Sequence, residues 1–229
     1  MSRRPRIVVL TGAGLSAESG LATFRDGGGL WEQHRVEDVA TPQAFRHDPA
    51  LVLRFYDQRR AGAAAARPNA AHQALARLSR AEGVTLITQN VDTLLEHAGA
   101  RDVIHMHGRL DQALCPACAR RWPAPRTMAV GLPCPDCATP GARPDIVWFG
   151  EMPYHMDRIE QALDRADIFA AIGTSGNVYP AAGFVDVARD NGAETVELNL
   201  AATAPGRFDR VIQGPATSTV PAWVAALLD

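Results

Sequence analysis

Four cysteines have the most telling spacing in this sequence. They stand as Cys115-Pro-Ala-Cys118 and Cys134-Pro-Asp-Cys137, with residues 119–133 between the pairs. Two C-x-x-C pairs at that separation match a zinc ribbon. Four thiolates fill a tetrahedron and leave no position for water. Zinc held this way is structural, not a Lewis acid for chemistry, and it fixes a segment too polar to fold alone. Two redox or disulfide pairs are the competing reading, which a cytoplasmic chain with no other cysteine disfavours. A ribbon that grips nucleic acid would need more local charge than Arg109, Arg120, Arg121, Arg126 and Arg143 supply.

Two further groups are candidates for chemistry. Thr88-Gln89-Asn90-Val91-Asp92 places four hydrogen-bonding side chains among five residues. Such a cluster suits the ribose hydroxyls and carboxamide of a dinucleotide, and Asn90 or Asp92 would serve equally as a helix cap. His105-Met106-His107-Gly108 follows at the end of a short apolar run. A spacing of two puts both imidazoles on one face of a strand, and histidine is the natural general base near neutral pH. Spacing does not choose between them, nor exclude one structural and one solvated histidine. His34, His47, His72, His97 and His155 have no comparable setting and read as surface or packing residues.

Gly12-Ala13-Gly14-Leu15-Ser16-Ala17 fits G-x-G-x-x-A. Glycines there let backbone approach a pyrophosphate, and a helix start offers N–H groups. The alternative is a tight strand-to-helix turn. In ordinary dinucleotide enzymes an acidic residue ends a second strand about 20 residues later. Here the next convincing strand begins near Val84, which argues against a simple dehydrogenase.

The elements that must position these groups alternate. Arg6 to Thr11 reads as a buried parallel strand, with a helix beginning at Ser16 to Gly20. Residues 30–70 look helical and irregular, with Trp31, Phe45, Phe55 and Tyr56 as apolar anchors; Pro68-Asn69 starts another helix. Then come strands at 84–88, 103–106, 145–149, 168–172 and 195–198. Helices are expected at 92–97, around 156–163, and at 180–189 and 222–228. The pattern predicts a Rossmann-like, doubly wound parallel α/β sheet with a smaller inserted lobe made of a helical module and a zinc ribbon. The core takes 1–29, 71–108 and 144–229, the helical module 30–70 and the zinc module 109–143.

Bulk composition excludes several classes. The chain has 229 residues, 47% hydrophobic and 21% charged, which suits a globular core. A net charge of −2 is not built for nucleic acid or an anionic membrane. No apolar run approaches the roughly 20 residues of a membrane helix, and the N-terminal apolar run is too short for a secretory signal. A cytoplasmic protein, monomeric by default, is the expectation. All 23 Lys+Arg residues are Arg, so a P-loop lysine and a Schiff-base lysine are both excluded.

Taken together, G-A-G-L-S (12–16), T-F-R (23–25), T-Q-N-V-D (88–92), H-G (107–108), the two C-x-x-C pairs, V-W-F-G-E (147–151) and G-T-S (173–175) resemble the sirtuin signature, in that family's order and over nearly the whole chain. The likeness is greatest to short bacterial sirtuins. Ala22 and Thr23 depart from the family's usual proline and aspartate. The resemblance implies an enzyme that consumes NAD to remove acyl groups from lysines of other proteins or peptides. The acyl oxygen attacks the nicotinamide ribose at C1′, His107 acts as base on a ribose hydroxyl, and nicotinamide, O-acyl-ADP-ribose and free lysine result. It implies that Gly12, Ala13, Gly14, Ser16 and Ala17 cradle phosphates. Thr23, Phe24 and Arg25 close over the cofactor, and Gln89, Asn90, Val91 and Asp92 orient the ribose and carboxamide. His107 and Asn90 are the catalytic pair. Gly173, Thr174, Ser175, Asn199, Leu200 and Ala216 hold the adenosine half. Val147, Phe149, Gly150 and Glu151 pair with substrate as a strand. Tyr56 and Arg59, three apart on a helix, resemble the Tyr-x-x-Arg pair of sirtuins that take succinyl or malonyl groups. The competing reading places Arg59 with Arg54 and Arg60 on a solvated basic face. An ADP-ribosyltransferase or NAD hydrolase using the same cleft is the alternative activity, and a non-catalytic NAD-binding regulator a second one.

Overall fold

In a computed structural model of the chain, the described residues are 4–21 and 34–228. The first strand, β1 (Ile7–Thr11), is buried along its full length. A β-branched run with no polar face is stable only with neighbours on both edges and layers on both faces. It receives them from β2 (Val84–Thr88) on one side and β7 (Ile168–Ile172) on the other, both parallel. With β3 (Ile104–His105), β8 (Glu194–Asn199) and β9 (Arg210–Gln213), the sheet order is β3-β2-β1-β7-β8-β9, every pairing parallel. Strand order reverses at β1, and open α/β sheets bind ligands at such a switch point.

Each face of this sheet has its own core. Ile7, Val9 and Leu86 pack with Leu75 and Leu78 of α5 (Ala70–Leu78) and with Val220 and Val224 of α9 (Ala216–Leu228). Val8, Leu10 and Phe169 pack with Ile159 and Leu163 of α7 (Met156–Leu163) and with Val185 of α8 (Phe184–Asp190). The predicted doubly wound sheet is therefore present. Asn69 caps α5 as expected from Pro68-Asn69, through a reciprocal capping box with His72.

Several elements differ from the sequence reading. The first helix, α1, is Gly14–Ala17, so it opens before Ser16 and lasts four residues. The helix expected from Asp92 is α6 (Leu94–His97), with Thr93 at its N-cap, because Asp92 turns out of the helix and its Oδ1 accepts from the Leu94 N–H at 3.0 Å. The helix expected at 222–228 begins at Ala216 and runs through Pro221. The strand expected at 145–149 is β6 (Arg143–Ile146), and it belongs to a second sheet.

That second sheet orders β5 (Arg121–Pro123), β4 (Gly108–Leu114) and β6, all antiparallel. Helices α2 (Val36–Val39), α3 (Pro42–His47) and α4 (Pro49–Ala65) cover it. Val39, Val52, Phe55 and Tyr56 pack with Leu110, Ile146 and Trp148, while Leu53 packs with Ala113, Met128 and Ala142. Phe55 and Tyr56 are the buried anchors expected, Phe45 is half-buried, and Trp31 lies outside the described residues. Among the described residues, no helix is long and apolar enough to cross a membrane.

Candidate active site

The candidate cofactor residues lie at the carboxyl ends of the parallel strands. Residues 12–17 follow β1, 88–92 end and follow β2, His107 follows β3, 173–175 follow β7, 199–200 end and follow β8, and Ala216 opens α9 after β9. Thr23, Phe24 and Arg25 lie outside the described residues.

The glycine turn is built by backbone-on-backbone contact. A Cβ on Gly12 would sit 2.7 Å from the Gly173 carbonyl oxygen, and one on Gly14 would sit 2.8 Å from the Gly173 Cα. The Gly14 N–H donates to the Gly173 carbonyl at 2.9 Å, and the Gly12 N–H to Ile172 at 2.9 Å. Leu15 and Ser16 donate back to Gly12 and Ala13. Among the described residues, the Ala13 N–H, which lies ahead of α1, makes no such bond. The glycines thus serve loop packing first, and α1 is too short to supply much of a helix dipole.

Ser16 is a hub. Its buried hydroxyl donates to Asp92 Oδ2 at 3.0 Å and accepts from Asn90 Nδ2 at 3.2 Å. It also lies 3.3 Å from His72 Nε2. His72 Nδ1 accepts the Asn69 N–H at 3.3 Å, so the ring proton sits on Nε2 and is donated to Ser16. Asn90 Nδ2 also donates to the Gly12 carbonyl at 3.1 Å, which leaves its Oδ1 to accept from a ligand. Asp92 is not the N-cap of α6, a position Thr93 takes; its Oδ1 accepts from the Leu94 N–H and its Oδ2 from Ser16.

His72 had read as a packing or surface residue, but it is wholly buried inside this network. Burial, partly opposed by the charge of Asp92, lowers its pKa to about 4. The clue in the sequence is Asn69-x-x-His72, a capping-box spacing with histidine in the usual Glu/Gln place.

The two histidines of H-M-H-G separate in role because β3 ends at His105. The two-residue alternation therefore stops before His107. His105 is buried, with Nδ1 3.1 Å from the Asn90 carbonyl and Nε2 2.6 Å from Glu96 Oε1. Both nitrogens face acceptors, so His105 ties α6 to the 88–92 turn. Burial opposes the charge on Glu96, but the His105 hydrogen bond and charge hold its carboxyl below the usual range. His107 is half-buried, and its Nδ1 lies 3.2 Å from the Gln89 carbonyl. A carbonyl can only accept, so Nδ1 carries the proton and the Nε2 lone pair is exposed for a base. Burial lowers the His107 pKa, with the Gln89 carbonyl partly opposing, which keeps the ring neutral near pH 7. Gly108 must be glycine: its φ is +81°, and a Cβ would sit 2.0 Å from the Asp145 carbonyl oxygen.

On the adenosine side, Asn199 Nδ2 donates to the Thr174 carbonyl at 2.8 Å and joins the ends of β7 and β8. Ser175 Oγ accepts the Asn177 N–H at 3.4 Å, and Leu200 is 71% exposed. Ala216 starts α9, whose next residue, Thr217, donates to Glu18 through both N–H and hydroxyl.

The 147–151 stretch is a turn, not the expected strand. Val147 N–H donates to His107, Phe149 N–H to Ala40 and Glu151 N–H to Trp148. The Trp148 N–H donates to Glu151 Oε2 at 2.8 Å. Gly150 alone in this stretch keeps its N–H free of such a bond among the described residues. Glu151 is also held by both Nη atoms of Arg143, at 2.7 Å each, so its side chain braces the turn.

Tyr56 and Arg59 lie together on α4. The Arg59 Cζ is 5.7 Å from the ring centroids of both Tyr56 and Phe55. Burial lowers the Arg59 pKa, partly opposed by Tyr56 and by the charge of Asp92. The solvated-face reading fails at Arg60. That side chain is buried, donating to the Leu110 carbonyl at 2.7 Å and to Asp57 at 2.6 Å.

The four cysteines converge, with ligand atoms all within 4.8 Å of one another. Cys115–Cys137 and Cys118–Cys134 sulfurs are each 3.7 Å apart. Zinc–sulfur bonds of about 2.3 Å give a tetrahedral edge of about 3.8 Å, whereas a disulfide needs about 2.05 Å. The donor set fits a structural zinc.

The Sir2 family profile matches residues 12–180, and that span covers most of the chain. The chain belongs to the Sir2 family. An NAD-dependent protein deacylase of Caulobacter vibrioides is 54% identical over 230 residues, covering 97% of each chain. One from Trypanosoma brucei brucei is 51% identical over 236 residues, covering 99% of this chain and 97% of that protein. A Sir2 homolog in complex with NAD superposes with a TM-score of 0.89 at 39% identity, over 97% of this chain and 89% of that one. A Sir2 protein with a deacetylated p53 peptide and 3′-O-acetyl ADP-ribose gives 0.83 at 26% identity, over 96% and 92%.

The buried network of this Sir2 chain carries a pH signature. Folded His72 titrates near 4 while the unfolded chain titrates near 6.5. The unfolded state binds more protons between those values, so stability falls as pH drops through that window, by up to about 3 kcal/mol. Urea unfolding at pH 7 and pH 5 should show a smaller pH-dependent loss in His72→Gln than in wild type. Equal losses would contradict a neutral, buried His72.

Proposed function

We propose that this chain is an NAD-dependent protein lysine deacylase, with NAD as co-substrate. The observation that carries the reading is His107: its Nδ1 is tied to the Gln89 carbonyl and its Nε2 is left as a base, beside the Ser16–Asn90–Asp92 cluster. The 54% identity to a bacterial deacylase over nearly all of both chains supports it, as do Sir2 neighbours bound to NAD and to a deacetylated peptide.

In this reading the acyl-lysine carbonyl oxygen bonds to C1′ of the nicotinamide ribose as the bond to nicotinamide breaks. A ribose hydroxyl then attacks the acyl carbon and gives its proton to His107 Nε2. Water completes the release of lysine, leaving O-acyl-ADP-ribose. Asn90 Oδ1 accepts from the ribose or a bound water, and Asp92 holds the other side of that cluster. Ala13 offers its N–H to phosphate, and the turn 147–151 receives the peptide through Gly150 and backbone carbonyls. The cysteine quartet would hold one zinc, which supplies rigidity to the second sheet.

The acyl preference extends to carboxylated groups of the succinyl or malonyl type. Tyr56 and Arg59 support this: a guanidinium matches a carboxylate in bidentate geometry, and a phenol adds a hydrogen bond. Tyr56 is fully buried in the core beside the second sheet, and the Arg59 guanidinium lies against its ring.

His107→Ala should lower turnover about 100-fold or more, the scale of general-base catalysis. Because burial lowers the His107 pKa from 6.5, the acid limb of the wild-type profile should have its midpoint below that value. Near-wild-type turnover of the variant, or an acid limb above 6.5, would remove His107 from the role. Arg59→Met should raise KM for succinyl-lysine peptide at least about 10-fold while sparing acetyl-lysine peptide. Equal losses on both would refute the acidic-acyl pocket.

A further inference from the structure

Trp148 sits at the junction of the two candidate substrate groups, and neither group accounts for it. Its side chain is 2% exposed. Its indole Nε1–H donates to the Tyr56 hydroxyl oxygen at 3.0 Å. The Arg143 guanidinium lies over its ring, Cζ 3.8 Å from the centroid. Arg143 is itself fixed by both Glu151 oxygens and by the Ile146 carbonyl, all at 2.7 Å. Phe45 and Tyr56 close on the indole, with centroids 5.3 Å and 6.3 Å away. A ring held this firmly points its N–H in one direction.

That direction has a chemical consequence. An indole nitrogen can only donate, so it occupies the phenol oxygen as acceptor and turns the phenol hydrogen elsewhere. Among the described residues no acceptor meets that hydrogen. Burial, more than any other influence, raises the Tyr56 pKa and keeps the hydroxyl protonated. A buried donor without an acceptor is costly, so the position suits a ligand that brings one. The adjacent guanidinium of Arg59 makes an anionic acceptor the best match.

We propose that Trp148 is a positioning residue for acyl selectivity: its indole N–H, clamped by Arg143 and Glu151, sets the Tyr56 hydroxyl as a donor to the carboxylate of an acyl group that Arg59 holds. This rests on the acidic-acyl reading above and adds to it the residue that orients the tyrosine.

The test measures kcat and KM on succinyl-lysine and acetyl-lysine peptides for Trp148→Phe, Tyr56→Phe, their combination and Arg59→Met, in the full chain. Trp148→Phe keeps a ring under Arg143 and removes the donor. It should raise the succinyl KM about 5- to 10-fold, leave the acetyl KM within about twofold, and add nothing once Tyr56 is Phe. Succinyl and acetyl KM moving together, neither moving, or the two substitutions multiplying would overturn the proposal. If Arg59→Met is succinyl-selective and Trp148→Phe is not, the role of Trp148 fails alone. If Arg59→Met affects both peptides equally, the acidic-acyl reading has failed and Trp148 with it. Replacing Trp148 by benzothienylalanine, which keeps the bicyclic shape without the N–H, gives the same comparison should the Phe variant fail to fold.

Discussion

One buried hydroxyl organises the candidate site. Ser16 Oγ accepts from His72 and Asn90 and donates to Asp92, so its whole hydrogen-bonding capacity is spent inside the protein. The pattern requires a neutral His72 with its proton on Nε2 and an Asp92 carboxyl oxygen that accepts. Through those bonds α1, α5 and the turn after β2 hold a common geometry. Asn90 is left with one free acceptor, and Gln89 next to it sets the tautomer of His107. Rigid placement of this kind is what a base and its substrate hydroxyl require, since catalysis depends on groups already in position.

The second sheet depends on a different constraint. Its β5 and cysteine turns bury little apolar surface, and four converging cysteines, the donor set of a structural zinc, stand in for a core there. Where a core does exist, it is shared: Tyr56 of α4, Ile146 of β6 and Trp148 beyond it pack as one cluster. The lobe also reaches the parallel sheet through backbone. Val147 donates to His107 and Tyr154 to Met106, so the turn proposed to receive peptide is bonded to the residue proposed to act on it.

Much of this was legible in the sequence, where the signal was local. The cysteine spacing, the buried strand before Gly12, the Asn69 cap and the ordered motifs all depend on neighbours a few residues apart. What escaped depends on distant partners. The local signal at His72 was only its capping-box spacing from Asn69, because its bond to Ser16 and the charge of Asp92 come from distant elements. The pairing of Trp148 with Tyr56 likewise joins residues from separate elements. The strand expected through Phe149 stops at Ile146 because Glu151, held by Arg143, folds the chain into a turn. β9 was missed because an exposed edge strand reading Arg-Val-Ile-Gln has no run of buried residues to mark it.

The most direct measurement is nicotinamide release from NAD, with and without succinyl-lysine and acetyl-lysine peptides. Release that requires peptide, with one acyl group lost for each nicotinamide formed, is the result predicted for a deacylase. Release at the same rate with no peptide present would mean transfer to another acceptor or to water, and would contradict the proposed function.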